Sequence, residues 1–256
     1  MTIFKIVEVD GLPFTAVTVA SLATHICVCA ASGNGGWVVT PNVDILRRWR
    51  GDGDFRDLVS TASIFTADGA PIVWASRLQG NPLPARVSGS DLFVALFKLA
   101  EKGGLRIALI GGNAGSAARA ARALSNSDDK PSVAVRTHFP PLGFENISSE
   151  MKAIEEFLQD WQPQIVFIGL PCPKQEELIK RLRPICPCSW FLGVGVSFSF
   201  VAGDVRRAPL WVQRAGLEWS HRLMQEPRRL VKRYIFHGLP FAAGLLTRAL
   251  LLRLVR

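Results

Sequence analysis

The chain has 256 residues, 48% hydrophobic and 20% charged, a balance that supports a large buried core and excludes intrinsic disorder, a collagen-like repeat and a small disulfide scaffold. The net charge of +9 is not spread over the chain: residues 1–205 hold 19 basic and 19 acidic residues, whereas residues 206–256 hold eleven basic residues against Glu218 and Glu226. A neutral body (1–205) with a basic C-terminal appendage (206–256) is the expected organisation, and a chain that is basic throughout is excluded.

Seven β-rich runs recur along the body, at 3–9, 36–42, 63–69, 106–112, 132–138, 164–170 and 189–195. Several are apolar nearly throughout, as in strands covered on both faces. The apolar segment 13–31 follows Lys5, Glu8 and Asp10 rather than a positive leader, and Thr15, Thr18, Ser21, Thr24 and His25 interrupt it. It reads as a buried helix. Further helices are expected over 91–102 behind Ser90 as N-cap, 116–124, 149–161, and 174–183 ahead of Pro184. Strand alternating with helix predicts an α/β fold with a mostly parallel sheet and helices on both faces. After Gly203 the pattern becomes helical only, at 209–224, 227–236 and 241–255, with Pro209 and Pro227 in first-turn positions. The last apolar stretch is interrupted by Gly238, Pro240, Gly244 and Arg248. A helix lying in the headgroup region, flanked by Arg228, Arg229, Lys232 and Arg233, fits better than a span. A helix packed on its own domain is the other open reading.

The five cysteines, Cys27, Cys29, Cys172, Cys186 and Cys188, are odd in number and contain no C-x-x-C pair. They read as reduced thiols. A metal site from Cys172, Cys186 and Cys188 lacks a histidine at ligand spacing, and no metal is expected.

In a parallel sheet the ligand crevice lies beyond the carboxyl ends of the strands, and the polar and glycine-rich clusters fall there: Thr40 and Asn42, Asp68 and Gly69, Gly111 to Gly115, His138, and Gly169 to Gln175. LIGGNAG (109–115) is a strand, a glycine turn and a helix start, so backbone N–H groups at Gly111, Gly112 and Asn113 are placed to receive phosphate. Its G-G-x-x-G spacing departs from G-x-G-x-x-G, and Asp128 and Asp129 precede the next strand instead of closing it, which counts against a dinucleotide. Asp68 ends an apolar strand, where burial would raise its pKa toward that of a general base. The alternative is a plain Asp-Gly turn. Asp52-Gly53-Asp54 has the form of a D-x-D metal clamp but follows the arginine-rich helix end Arg47, Arg48, Arg50, and reads as a solvated turn.

TPN (40–42), ADG (67–69), RVSGSDL (86–92), LIGG (109–112), GLPCPKQE (169–176), GVGVSFSFVAG (193–203), RAP (207–209), GLEW (216–219), HRLMQEPRRL (221–230) and KRY (232–234) together resemble the WecG/TagA/CpsF glycosyltransferases, glycosyltransferase family 26. The resemblance runs in order from about residue 5 to Tyr234. It implies a Rossmann-like core with an appendage that closes the active site and meets the membrane. The implied reaction is inverting, metal-independent transfer of a hexose from a UDP-sugar to a lipid-diphosphate-linked sugar at the cytoplasmic face of the bacterial inner membrane, with no cofactor. It implies Asp68 as catalytic base, and Thr40, Asn42 and Gln175 lining the sugar and acceptor pocket, with Arg86 among the substrate-binding residues. Arg207, Arg222 and Arg229 are implied at the diphosphate, and Gly169 with the glycine turn at the nucleotide. Many members have F-D-F where this chain has Phe198-Ser199-Phe200. Ser199 can still bond a ribose hydroxyl but supplies no negative charge.

The expected partners are therefore a UDP-sugar, a lipid-diphosphate-linked sugar and an anionic membrane surface. Two rivals remain. An NAD(P)-dependent oxidoreductase would use LIGGNAG. A nucleic-acid or scaffold protein would use the basic appendage, but the neutral body and the single tyrosine disfavour nucleic acid as a partner.

Overall fold

The computed structural model describes residues 4–125 and 134–255. The first two positions of the strand expected at 132–138 lie outside the described residues, as do Asp128 and Asp129.

The chain opens with a hairpin of β1 (Ile6–Val9) and β2 (Leu12–Thr15). Its two-residue turn is Asp10-Gly11, both at positive φ (53° and 85°), the geometry that Asp-Gly suits because it matches the strand twist. The helix expected from residue 13 is thereby corrected: 12–15 is strand, and α1 (Val19–Ala31) starts behind Thr18, whose side chain accepts from the Ser21 amide while Ser21 bonds back to Thr18. This reciprocal pair is a capping box.

The body follows as β3 (Gly36–Val39), α2 (Val43–Gly51), α3 (Gly53–Val59), β4 (Ile64–Phe65), α4 (Ala70–Leu78), α5 (Gly89–Lys102), β5 (Ile107–Gly111), α6 (Ser116–Leu124), β6 (Val135–His138), α7 (Ser148–Trp161), β7 (Ile165–Gly169), α8 (Lys174–Leu182), β8 (Trp190–Gly193) and α9 (Ser197–Val201). Strands β3 to β8 form one sheet in the order β4-β3-β8-β7-β5-β6, and every neighbouring pair is parallel. Side chains alternate between its faces. Val38, Ile107, Leu109, Ile165, Phe167 and Leu192 pack under α1, α5 and α6. Trp37, Val39, Ala108, Ile110, Val166, Ile168 and Phe191 pack under α3, α7 and α8. Full burial of such side chains contributes about 2–3 kcal/mol each relative to exposure, which explains why the strands read as apolar throughout.

One expected cap moves and one expected helix divides. Ser88, not Ser90, caps α5, its hydroxyl accepting from the Asp91 amide at 3.1 Å. The helix expected over 209–224 breaks into α10 (Leu210–Arg214) and α11 (Glu218–Gln225). The break is at Gly216, with φ of 75°, where a Cβ would stand 2.5 Å from the Ala70 side chain; only glycine allows this approach to α4.

The two terminal helices expected at 227–236 and 241–255 are continuous: α12 (Pro227–Val231), a π-helical segment (Lys232–Gly238) and α13 (Leu239–Val255). Pro240 lacks the N–H an α-helix uses, and the wider turn ahead of it, in which the Leu239 amide bonds Tyr234 O five residues back, keeps the helix unbroken. Residues 227–254 are long and apolar enough to cross a membrane. One face packs on the body: Leu245 and Ala249 join Val7, Val9, Leu12 and Phe14 of the hairpin and Ile72 and Val73 of α4 in a third core cluster. The opposite face exposes Phe236, Leu250, Leu251 and Leu254.

Candidate active site

Because the sheet is parallel, the carboxyl ends of all six strands share one edge. After β5 the chain turns into α6 on one face, and after the neighbouring β7 it turns into α8 on the other. The strands diverge there, which opens a crevice.

Asp68 sits on this edge. The Thr66 amide bonds Val39 O and the Asp68 amide bonds Pro41 O, so β4 stays zipped to the segment after β3 up to the carboxylate itself. Thr66 Oγ1 bonds Val87 O at 3.2 Å, and the Val87 amide returns a bond to Ala67 O, which pins the entry to α5 on the other side. Gly69, at φ of 176°, is extended and leads into α4; the Asp-Gly pair therefore makes no reverse turn. Burial lifts Asp68 to a pKa of about 6; Arg86 opposes this, Glu218 and Asp91 add to it, and the Gly89 N–H faces the carboxylate.

Beside Asp68 four charges alternate in a ring. Arg86 Nη1 lies 2.8 Å from Glu218 Oε2 and Nη2 lies 3.3 Å from Asp91 Oδ2. Arg207 Nη1 lies 2.7 Å from Asp91 Oδ1 and Nε lies 3.2 Å from Glu218 Oε1. The body supplies Arg86 and Asp91, the appendage Arg207 and Glu218. Arg86 and Arg207 are residues the resemblance implied for substrate and diphosphate; their carboxylate partners Asp91 and Glu218, and Ser88, whose hydroxyl also bonds Asp91 at 2.7 Å, were not expected. The available signals were the S-x-x-D cap spacing and the rarity of acid in the appendage.

Thr40 and Gln175 connect to this centre through glycines. A Cβ on Gly89 would lie 3.3 Å from Thr40 Oγ1 and 3.6 Å from Gly193 O. On Gly193 it would lie 2.5 Å from the Gln175 amide carbon. Gln175 is buried, with Oε1 accepting from the Gly195 amide at 3.2 Å and Nε2 donating to Glu176 at 2.9 Å. Glu176 is itself buried, and desolvation raises its pKa despite the bond from Gln175. Asn42 caps α2, its Oδ1 accepting from the amides of Asp44 and Ile45, both at 3.0 Å.

At the glycine turn, Gly111, Gly112 and Gly115 all have positive φ. A Cβ on Gly112 would lie 2.9 Å from the Phe198 ring, and one on Gly169 would lie 2.6 Å from it. The glycines thus admit Phe198 between the ends of β5 and β7. Asn113 Nδ2 donates to Ser199 Oγ at 3.2 Å, bringing two of the expected nucleotide residues together. Arg222 lies over Phe200, the residue after Ser199, 5.7 Å from the ring centre. Arg229 stands apart, exposed and paired with Glu226 at 2.6 Å. His138 ends β6 with its ring tilted on Phe157 and Nε2 buried without a hydrogen bond.

Asp52 caps α3, accepting from the Phe55 amide at 3.1 Å, with Asp54 in its first turn, so the D-x-D run is a helix start. Cys172 and Cys186 lie at opposite ends of α8, and all five cysteines are free thiols. Among the described residues no three His, Cys, Asp or Glu side chains gather to share an ion.

An α/β protein with a carboxylate of raised pKa and two arginines at a parallel-sheet crevice has the makings of a group-transfer enzyme. Residues 7–254 match the Glycosyl transferase WecG/TagA/CpsF family, and the chain belongs to that family of glycosyltransferases. It is similar to proteins named N-acetylglucosaminyldiphosphoundecaprenol N-acetyl-beta-D-mannosaminyltransferase. That of Bacillus spizizenii is 27% identical over 226 residues, 86% of this chain and 84% of the relative. That of Bacillus subtilis is 29% identical over 195 residues, 76% and 73% of the two chains. One from Staphylococcus aureus is 27% identical over 230 residues, 88% and 86%.

Proposed function

We propose that the protein transfers an N-acetylhexosamine or hexose from a UDP-sugar to a sugar carried on polyprenyl diphosphate, in the synthesis of a bacterial surface polymer. N-acetylmannosamine as the donated sugar and undecaprenyl-diphosphate-linked N-acetylglucosamine as acceptor are the first choices, after the names of the relatives. The observation that carries the reading is Asp68: a carboxylate of pKa about 6 at the crevice, facing Arg86, which shares Asp91 and Glu218 with Arg207.

Transfer with inversion is a single displacement. The acceptor hydroxyl attacks the anomeric carbon, UDP departs from the opposite side, and Asp68 takes the hydroxyl proton as the new bond forms. Above pH 6 the carboxylate is largely ionised yet more basic than an ordinary aspartate, which suits this step. Thr40, Asn42 and Gln175 line the sugar side. Gly111, Gly112, Asn113, Gly169 and Ser199 hold the nucleotide. The negative charge of the leaving diphosphate is met by backbone amides and by Arg222, Arg207 and Arg229, the last two on release from their pairs with Asp91 and Glu218 and with Glu226; in keeping with the family resemblance, no divalent metal is required.

The acceptor's lipid calls for a reaction at a membrane surface, and the family resemblance supports its cytoplasmic face. Residues 206–256 are the bilayer-facing part: Leu210, Trp211, Met224, Phe236 and Leu254 are exposed, with Trp211 at 71% and Met224 at 74%, and Arg228, Arg229 and Lys232 lie among them. The test is a panel of UDP-sugars with a short-chain polyprenyl-diphosphate-linked N-acetylglucosamine, read by mass spectrometry. A product heavier by one N-acetylhexosamine is expected from UDP-N-acetylmannosamine, and no product from any UDP-sugar overturns the reading.

A further inference from the structure

Glu218 is one of two acidic residues in the appendage, and it is spent inside the protein, with a side chain 17% exposed. Its two oxygens engage different arginines, Oε2 with Arg86 at 2.8 Å and Oε1 with Arg207 at 3.2 Å. Asp91 takes the remaining arms of both, Arg86 at 3.3 Å and Arg207 at 2.7 Å. Arg86 is the cation whose charge reaches Asp68. A carboxylate clamped by an unopposed guanidinium holds its charge strongly and is a poor proton acceptor. Here the guanidinium fork is committed elsewhere, and half of that commitment arrives with the appendage.

We propose that Glu218 is a positioning residue for the transfer step: bridging Arg207 and Arg86, it occupies the Arg86 guanidinium, keeps it from closing on Asp68, and so makes the base competent only while the appendage is docked. This rests on the reading of Asp68 as the base. The groups that face Asp68 are Arg86 from the segment before α5, the Gly89 amide and Asp91 from α5, and Glu218 from α11. Glu218 and Asp91 push the carboxyl up and Arg86 pulls it down, in the sense the proposal needs.

The test uses the full chain with UDP-sugar and a lipid-diphosphate acceptor, measuring kcat and KM from pH 5 to 9 for wild type, Glu218→Gln, Glu218→Asp and Asp68→Asn. Glu218→Gln is expected to move the acid limb of kcat down by about one pH unit, and to lower kcat at pH 7.5 about tenfold with donor KM little changed. Glu218→Asp, which keeps the charge, is expected to keep the limb near its wild-type position. Glu218→Ser, small enough to admit water to the vacated guanidinium bonds, serves if the glutamine variant does not fold. A limb that stays put in the neutral variants overturns the proposal, as does one displaced equally in Glu218→Asp. Neutral variants that fold in neither form also overturn it, since Glu218 is then only a clamp for the appendage. If Asp68→Asn is as active as wild type, the reading of the base itself fails; an inactive Asp68→Asn beside an unshifted Glu218→Gln overturns the role of Glu218 alone.

Discussion

Arg248 grips Asp10 with two hydrogen bonds, Nε to Oδ1 at 2.8 Å and Nη2 to Oδ2 at 2.9 Å, and so ties the last helix to the first hairpin turn. Arg50 of α2 binds the same carboxylate, whose side chain is 6% exposed. Burial alone would raise the pKa of Asp10; the two guanidiniums outweigh it and hold the carboxyl below its ordinary value. A depressed carboxyl stabilises the fold above its unfolded pKa, and that contribution fades as pH falls through the folded value. Asp10→Ala is expected to destabilise the protein by about 2 kcal/mol at pH 7, less than for a fully buried pair because both arginines stay partly hydrated. Hydrogen exchange checks it: the amides of α13 should speed up while those of α5 do not, and the difference between variant and wild type should shrink in acid.

Phe198 stands between the ends of β5 and β7 only because residues 112 and 169 are glycines. Gly169→Ala is expected to cost about 1–3 kcal/mol by overpacking. Gly112→Ala adds the strain of a φ of 83° to its contact with the same ring. Both should lower the melting temperature and weaken UDP binding in calorimetry, because Ser199 and Asn113 move with Phe198. Wild-type UDP affinity in a destabilised Gly169→Ala chain would separate that packing from the nucleotide site.

The strand positions and the parallel sheet were legible because a sheet covered on both faces demands apolar side chains at nearly every position. The placement of the glycine turn and Asp68 at one edge was legible because strand ends in such a sheet share it, whereas Arg86, between α4 and α5, was reached only through the family resemblance. The hairpin was missed although Asp10-Gly11 announces it, since the apolar run behind it reads equally well as helix when periodicity alone decides. Glu218 and Asp91 were not legible as part of the site: they lie 127 positions apart in sequence and meet only through the two arginines. The unbroken terminal helix was not legible either, because Gly238 and Pro240, which normally interrupt a helix, are accommodated here by a π-helical turn.

Asp68→Asn is expected to abolish transfer while leaving UDP binding nearly unchanged, and wild-type activity should fall on the acid side with an apparent pKa near 6. The linkage sign is opposite to that of Asp10. An acid with a raised pKa leaves stability untouched below its unfolded value and costs stability as pH rises through the folded one. Removing the charge should therefore stabilise the fold at pH 8, by at most about 3 kcal/mol for a shift of this size, and change little at pH 4. Thermal melts of the two proteins across that range check it; equal curves at every pH would show that burial does not penalise the carboxylate.

A chain ending at residue 205 loses more than its basic charge. Leu245 and Ala249 cover Ile72, Val73 and the hairpin side chains Val7 and Phe14, and Arg86 and Asp91 lose Glu218 and Arg207. The truncated body is therefore expected to self-associate through the uncovered patch, to lose transfer, and to stop co-sedimenting with vesicles rich in anionic lipid. Sizing by light scattering and vesicle sedimentation separate these effects. A milder variant, with Arg228, Arg229 and Lys232 changed to glutamine, should keep the packed face of α13 and remain monodisperse. Its vesicle binding should be weaker than that of wild type and should depend less steeply on the fraction of anionic lipid, because each cation near a charged surface contributes about 1 kcal/mol. If the truncated body still binds anionic vesicles as tightly as the full chain, the membrane contact lies elsewhere on the molecule.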